Sequence, residues 1–169
     1  MISLVPVARV DAPTLQNLFQ LYTHDFSEYW AGEDRGDLQP DGRFADYPLD
    51  PYWSRSGWSA QLIRHGSALA GFVLVNGEAH SGQPVDANMA EFFVVLKYCG
   101  AGVGLIAAEA AFAQRPGSWE VAVARKNRRA ADFWLRTIAS SPRISHLVER
   151  ESDNAAWKGP IYRFNCAAG

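Results

Sequence analysis

Residues 97 to 105 read Lys97-Tyr98-Cys99-Gly100-Ala101-Gly102-Val103-Gly104-Leu105. Glycines that follow an apolar run let backbone amides approach a ligand closely, and a helix starting beside them adds a positive field, a combination suited to phosphate or pyrophosphate. A tight strand-to-helix connection with no ligand uses glycine as well. Two commoner phosphate motifs are excluded: a dinucleotide fingerprint requires glycine where Leu105 stands, and no Gly-Lys-Ser/Thr is present. Upstream, Glu91 is the single ionisable residue in the apolar run Met89 to Leu96. Apolar neighbours raise a carboxyl pKa toward that of a base working at neutral pH, whereas a strand-edge carboxylate reaching water or paired with a cation would have a structural role. His24 and Asp25 are weaker base candidates. Cys99 has no histidine near it in sequence and is not read as a nucleophile.

Two further clusters carry chemistry. Asn127-Arg128-Arg129-Ala130-Ala131-Asp132-Phe133-Trp134 opens with a residue that caps helices well, and Arg125, Lys126, Arg128 and Arg129 surround it with positive charge, for a phosphate or merely for solvent. From Asp25 to Asp50 stand Asp25, Glu28, Glu33, Asp34, Asp37, Asp41, Asp46 and Asp50 against Arg35 and Arg43, an acidic excess of six. Tyr22, Phe26, Tyr29 and Trp30 lie within or beside that segment. Acids attract cations and aromatic faces accept them, so the segment is either a cationic-amine site or a solvated loop over buried rings.

The elements that must hold these residues follow from periodicity. Met1–Val7 is a short strand; Leu15, Leu18, Phe19, Tyr22, Phe26 and Tyr29 recur at helical spacing and predict a helix from Ala12 to about Tyr29, capped by Asp11 with Pro13 in its first turn. The polar segment 31 to 51 is long enough for a functional loop or lid. Ser59–Arg64 and Leu69–Asn76 alternate around His65-Gly66 as a hairpin. A strand over Met89–Val95, a helix from about Gly102 to Gln114, a buried strand over Trp119–Ala124, a helix over Asn127–Ala139 and strands near Ile144–Glu149 and Pro160–Phe164 complete a mixed sheet.

The whole chain sets the outer bounds. In 169 residues, 16 Lys plus Arg against 18 Asp plus Glu give a net charge of −2, too little positive field for a general nucleic-acid or anionic-membrane binder. The 48% hydrophobic and 12% aromatic content supports a real core. No apolar run approaches the roughly 20 residues of a membrane-crossing helix, and the N-terminus lacks a basic signal-peptide start. Cys99 and Cys166 are too few for a disulfide scaffold or a four-ligand zinc site, which points to a reducing cytoplasm and no metal. Without repeats or a linker, residues 1–169 read as one domain.

The strand, glycine turn and helix, followed by the asparagine motif, resemble the acetyl-coenzyme A binding core of the GNAT superfamily of N-acetyltransferases. That family's [Gln/Arg]-x-x-Gly-x-[Gly/Ala] falls on Cys99 to Gly104, and its Asn-x-x-Ala-x-x-Phe-Tyr falls on Asn127 to Trp134. The resemblance covers about Met89 to Ile138. It implies an α/β fold with a central mixed β-sheet flanked by helices. By the same resemblance, the backbone of Phe92, Phe93 and Val94 runs beside pantetheine and the acetyl carbonyl, and Gly100, Ala101, Gly102, Val103, Gly104 and Leu105 hold the pyrophosphate. Lys97 adds charge nearby, and Asn127 touches the pantetheine arm. The implied reaction is direct acetyl transfer to an amine; read with the residues above, the acceptor is a primary amine of a small cationic molecule, with Glu91 as base and Tyr22, Asp25, Phe26, Tyr29 and Trp30 around it. The implied partners are that amine and acetyl-CoA, with no nucleic acid or membrane, in a monomer or homodimer. Two positions depart from the family. Cys99 replaces the usual Gln or Arg, and Trp134 replaces a Tyr that often protonates the thiolate; an indole N–H donates a hydrogen bond but is no practical acid. These departures favour an alternative, a catalytically weak acyl-CoA binding or regulatory module. An unrelated mixed sheet binding another phosphate ligand is the third reading.

Overall fold

Apolar strands covered on both faces form the middle of a seven-stranded sheet. The computed structural model describes residues 1–33 and 35–168, leaving Asp34 of the acidic segment outside the described residues. Its strands are β1 (Ile2–Pro6), β2 (Ser59–His65), β3 (Ala68–Asn76), β4 (Ala87–Val94), β5 (Gly117–Ala122), β6 (Ile144–Asp153) and β7 (Lys158–Cys166), and its helices are α1 (Ala12–Ser27), α2 (Pro51–Ser54), α3 (Val103–Ala113) and α4 (Arg128–Ser140). The sheet order is β1-β2-β3-β4-β5-β7-β6. Every neighbouring pair is antiparallel except β4 and β5, which run parallel. β3 is buried from Ala70 to Asn76 because both its faces are covered, while β6 forms an exposed edge.

The two faces support two cores. On one, Leu15, Leu18 and Phe19 of α1 pack with Tyr52, Leu62, Phe72 and Leu74. On the other, Val103, Ala107, Ala111 and Phe112 of α3 and Trp134 and Ile138 of α4 pack with Val73, Trp119, Val121 and Phe164. Alternation along β5 therefore sends Trp119 and Val121 to the second core and the intervening Glu120 to the opposite face.

Two details differ from the sequence reading. The α-helical part of α1 stops at Ser27 and continues as a single 3₁₀ turn over Glu28–Trp30, which carries Tyr29 and Trp30 away from the helical stripe. Asp11 occupies the N-cap of α1, but its side chain makes no capping hydrogen bond; Pro13, which has no N–H to satisfy, removes one of the donors a cap would serve. At α4 the expected cap is present, with Asn127 Oδ1 accepting from Ala130 N at 3.0 Å.

Candidate active site

β4 and β5 pair only at Ala87 with Trp119 and Asn88 with Glu120, and then diverge. The wedge between them opens into a cavity of about 850 Å³. Within its wall β4 carries a bulge: Leu74 faces Glu91 while Val75 faces Met89, leaving Ala90 as the extra residue. A bulge bends the strand and re-aims the next side chain, here Glu91. Glu91 and Phe92 line the cavity from β4, Val121 and Ala122 from β5, and Tyr22 and Phe26 from α1.

Glu91 Oε2 accepts a hydrogen bond from Tyr22 Oη at 2.6 Å. Enclosure by the surrounding rings removes water from the carboxylate and pushes its pKa up to about 7, although the Tyr22 and Tyr47 hydroxyls pull it back toward the ordinary carboxylate value. The same desolvation, with the Glu91 charge beside it, holds the Tyr22 phenol well above its usual range. Glu91 is thus a half-buried carboxyl that changes charge near neutrality at the wall of a cavity. That arrangement suits a general base.

The glycine turn follows the end of β4 and is not part of this cavity's lining. Gly100 and Gly102 adopt φ of 79° and 77°, and a Cβ on either would meet only open space, so both are required by backbone conformation and leave an uncrowded approach. Gly102 is the N-cap of α3. Among the described residues the amides of 100–105 donate to no protein acceptor, which leaves the start of an 11-residue helix presenting free donors. Gly104 has a different role: a Cβ there would lie 3.2 Å from the Phe133 ring, so it lets α3 approach α4. Val103 is buried in the core, whereas Leu105 is exposed. Cys99 Sγ lies 3.5 Å from the Val94 carbonyl oxygen, and Lys97 Nζ sits 5.5 Å from the centre of the Tyr98 ring.

Asn127, also on the cavity wall, receives a bond at 3.3 Å from Tyr29 Oη on the Oδ1 atom that caps α4. Lys126 Nζ donates to the Tyr29 carbonyl at 2.8 Å and lies 3.5 Å from Glu33. Arg125 pairs with Glu151 and Asp153. Of the basic cluster read from the sequence, Arg128 and Arg129 are the members without an ion pair among the described residues. Trp134 is 6% exposed and packs edge-on against Phe92, with ring centres 5.0 Å apart.

Of the acceptor residues read from the sequence, Tyr22, Phe26 and Trp30 line the cavity and Tyr29 spans to Asn127. Asp25 does not reach it; its carboxylate stands 3.5 Å from His24 on the surface of α1. The acidic excess is also dispersed: Asp46 pairs with Arg43 and Asp50 with Arg9, both in solvent, and among the described residues Glu33 is the acid of that segment on the cavity wall.

Sequence reasoning missed His80 and Trp157, which line the same cavity from the β3–β4 and β6–β7 connections. Their rings lie 4.3 Å apart. The one signal available was Glu120, an acid inside a run otherwise read as a buried strand. It is fully buried, accepts from His80 N at 2.6 Å and Ser81 N at 3.1 Å, and is neutralised by Arg163 at 3.1 Å.

No helix among the described residues is long and apolar enough to cross a membrane, and no group of three His, Cys, Asp or Glu side chains among them could hold a metal ion. Comparison with solved structures finds acetyltransferases of similar fold. An acetyltransferase from Thermus thermophilus superposes with a TM-score of 0.64 at 16% identity, covering 96% of each chain. A GNAT-family acetyltransferase from Staphylococcus aureus gives 0.56 at 11% identity, over 98% of this chain and 99% of that one. Mutant forms of the spermidine/spermine N-acetyltransferase from Vibrio cholerae give 0.56 at 13%, over 97% and 93%. No family model matches the sequence, and no curated protein matches it.

Proposed function

We propose that this protein is an N-acetyltransferase, a single domain over residues 1–169, that moves acetyl from acetyl-coenzyme A directly to the primary amine of a small cationic molecule. The observation that carries this reading is a cavity at the splayed strand pair with a neutral-range carboxyl, Glu91, on its wall. Free amides open the helix that follows β4. The amides of 102–105 suit the pyrophosphate, the unpaired side of β4 at Phe92, Phe93 and Val94 suits the pantetheine amides, and Asn127 Nδ2 is available to them because Oδ1 is already committed.

An alkylamine of pKa about 10 arrives mostly protonated, so a base is useful. Deprotonated Glu91 takes the amine proton, the nitrogen attacks the thioester carbonyl, and the C–S bond breaks to release a thiolate. The nitrogen then carries one proton more than an amide holds; with Trp134 in place of an acid, water relays that proton to the thiolate, whose conjugate thiol has a pKa of about 8.5, which makes it a tolerable leaving group. The similarity to enzymes named for spermidine and for acetyl transfer supports the reaction class. We place the protein in the cytoplasm as a monomer or homodimer.

A second reading, an acyl-coenzyme A binding module without turnover, is favoured by Trp134 and by Cys99. One experiment separates the two. Acetyl-coenzyme A is expected to raise Tm, and an amine panel to release free thiol; binding without release selects the binding module. Gly102→Asp tests the assignment of the turn. Asp tolerates the left-handed conformation better than most residues and meets open space, so the variant is expected to fold yet to repel the pyrophosphate and weaken binding by about tenfold or more. Parental affinity in a folded variant would remove the turn from the cofactor site.

A further inference from the structure

Much of the cavity lining is aromatic. Phe26 and Trp30 contribute rings from the end of α1 and the 3₁₀ turn, and His80 and Trp157 contribute rings from two loops that are distant in sequence. Both loops are fixed. Glu120 anchors the first, as a fully buried carboxylate that accepts from His80 N and Ser81 N and is neutralised by Arg163. Trp157 is held by its indole N–H to the Val123 carbonyl at 3.2 Å, and its backbone N–H donates to Asn154 Oδ1 at 2.9 Å. Desolvating an ion pair is costly, and here the pair fixes a loop whose ring faces a cavity. Burial also lowers the His80 pKa, which favours the uncharged imidazole.

The charges on the cavity lining do not suit several ammonium groups. Among the described residues the cavity is lined by two carboxylates, Glu33 and Glu91, and by Arg35 and Lys158. Glu33 is already engaged, 2.6 Å from Arg35 Nε and 3.5 Å from Lys126 Nζ. Glu91 is then the one acid left for an amine, and a linear polyamine would leave its other ammonium groups unpaired beside two cations.

We infer that His80 and Trp157 form an acceptor-recognition wall and that the acceptor is a monoamine borne on an aromatic body, whose ring packs among these side chains while its amine reaches Glu91. This rests on the acetyltransferase reading and sharpens its substrate class. Phenethylamine and tryptamine are expected to give a kcat/KM about tenfold or more above butylamine and spermidine in a thiol-release assay on the full chain. Trp157→Ala should raise KM for the two aryl amines about tenfold with kcat little changed and leave butylamine unaffected, and Trp157→Phe should restore most of the loss. Preference for spermidine, equal use of butylamine, or a Trp157→Ala effect identical for all amines would overturn the inference. If no amine is acetylated, equilibrium dialysis of tryptamine separates the two failures. Binding that Trp157→Ala abolishes upholds the wall while removing the acetyltransferase reading, and no binding overturns the wall as well.

Discussion

Glu91 was legible in the sequence because an acid inside an apolar run is conspicuous, and it does line the cavity wall. Its behaviour with pH is testable in two ways. Activity should rise as pH passes through about 7, because the amine must lose its proton to an ionised carboxylate. Glu91→Gln should lower kcat about a hundredfold and abolish that limb. Tyr22→Phe removes the donor that favours the charged form, so the limb should move to higher pH. The folded protein holds the Glu91 proton more tightly than the unfolded chain, whose ordinary value is 4.5. The residue's contribution to stability is therefore full below pH 4.5 and is lost as pH rises through about 7. Urea titrations at pH 8 should find Glu91→Gln more stable than the parent by up to about 3 kcal/mol. A pH-independent difference between the two would show that burial does not control this carboxyl. Glu120 carried the same sequence signal inside the next strand, but its partners come from residues 80, 81 and 163, and no spacing rule links those positions. Charge dispersal in the acidic segment was illegible for a similar reason: composition counts acids, whereas pairing of Asp50 with Arg9 depends on the tertiary path.

At the scale of elements, hydrophobic periodicity gave the strands and helices because each buries one definable stripe or face, and the asparagine cap of α4 was readable because capping is local. Periodicity alone did not give the parallel splay. It depends on how far β4 and β5 remain in register, which is decided by the bulge at Ala90 and by the crossover through α3. β7 contributes a second close approach. A Cβ on Gly159 would crowd the Val123 carbonyl oxygen and stand 2.6 Å from Arg125 N, and the residue has φ of 141°, so the chain leading from β5 to Asn127 lies directly on a glycine. Gly159→Ala must push that segment away. The expected cost is about 1–3 kcal/mol of stability, together with weaker acetyl-coenzyme A binding as Asn127 shifts. Chemical denaturation and a coenzyme titration of the same sample measure both. An Ala variant of parental stability would mean that the segment yields freely and that Asn127 is not positioned by β7.

At the scale of the molecule, the sheet is continuous but unequal. An antiparallel ladder of β1 to β4 and another of β5, β7 and β6 meet at a junction where only two residue pairs join β4 to β5. Alternate amides of 89–94 on the β5 side of β4 lie past that pairing, and the amides of 102–105, at the start of the helix that follows β4, have no protein acceptor among the described residues. Across the cavity, Tyr29 and Lys126 link the α1 end to the start of α4. A ligand that fills the wedge would supply the hydrogen bonds that the second strand does not, and so complete the sheet in its middle. Amide hydrogen exchange locates such an effect, because an amide is slowed when it gains an acceptor or when the opening that exposes it becomes rarer. Saturating acetyl-coenzyme A is expected to slow exchange in peptides spanning 89–95 and 100–106 by about tenfold or more, with 127–131 following as Asn127 is engaged. β1 and β2, which complete their ladders away from the wedge, should change little. Protection spread evenly over all strands would indicate general stabilisation rather than a ligand in the wedge. Protection confined to the outer β6 and β7 edge would place the coenzyme elsewhere and remove the splayed strands from its site.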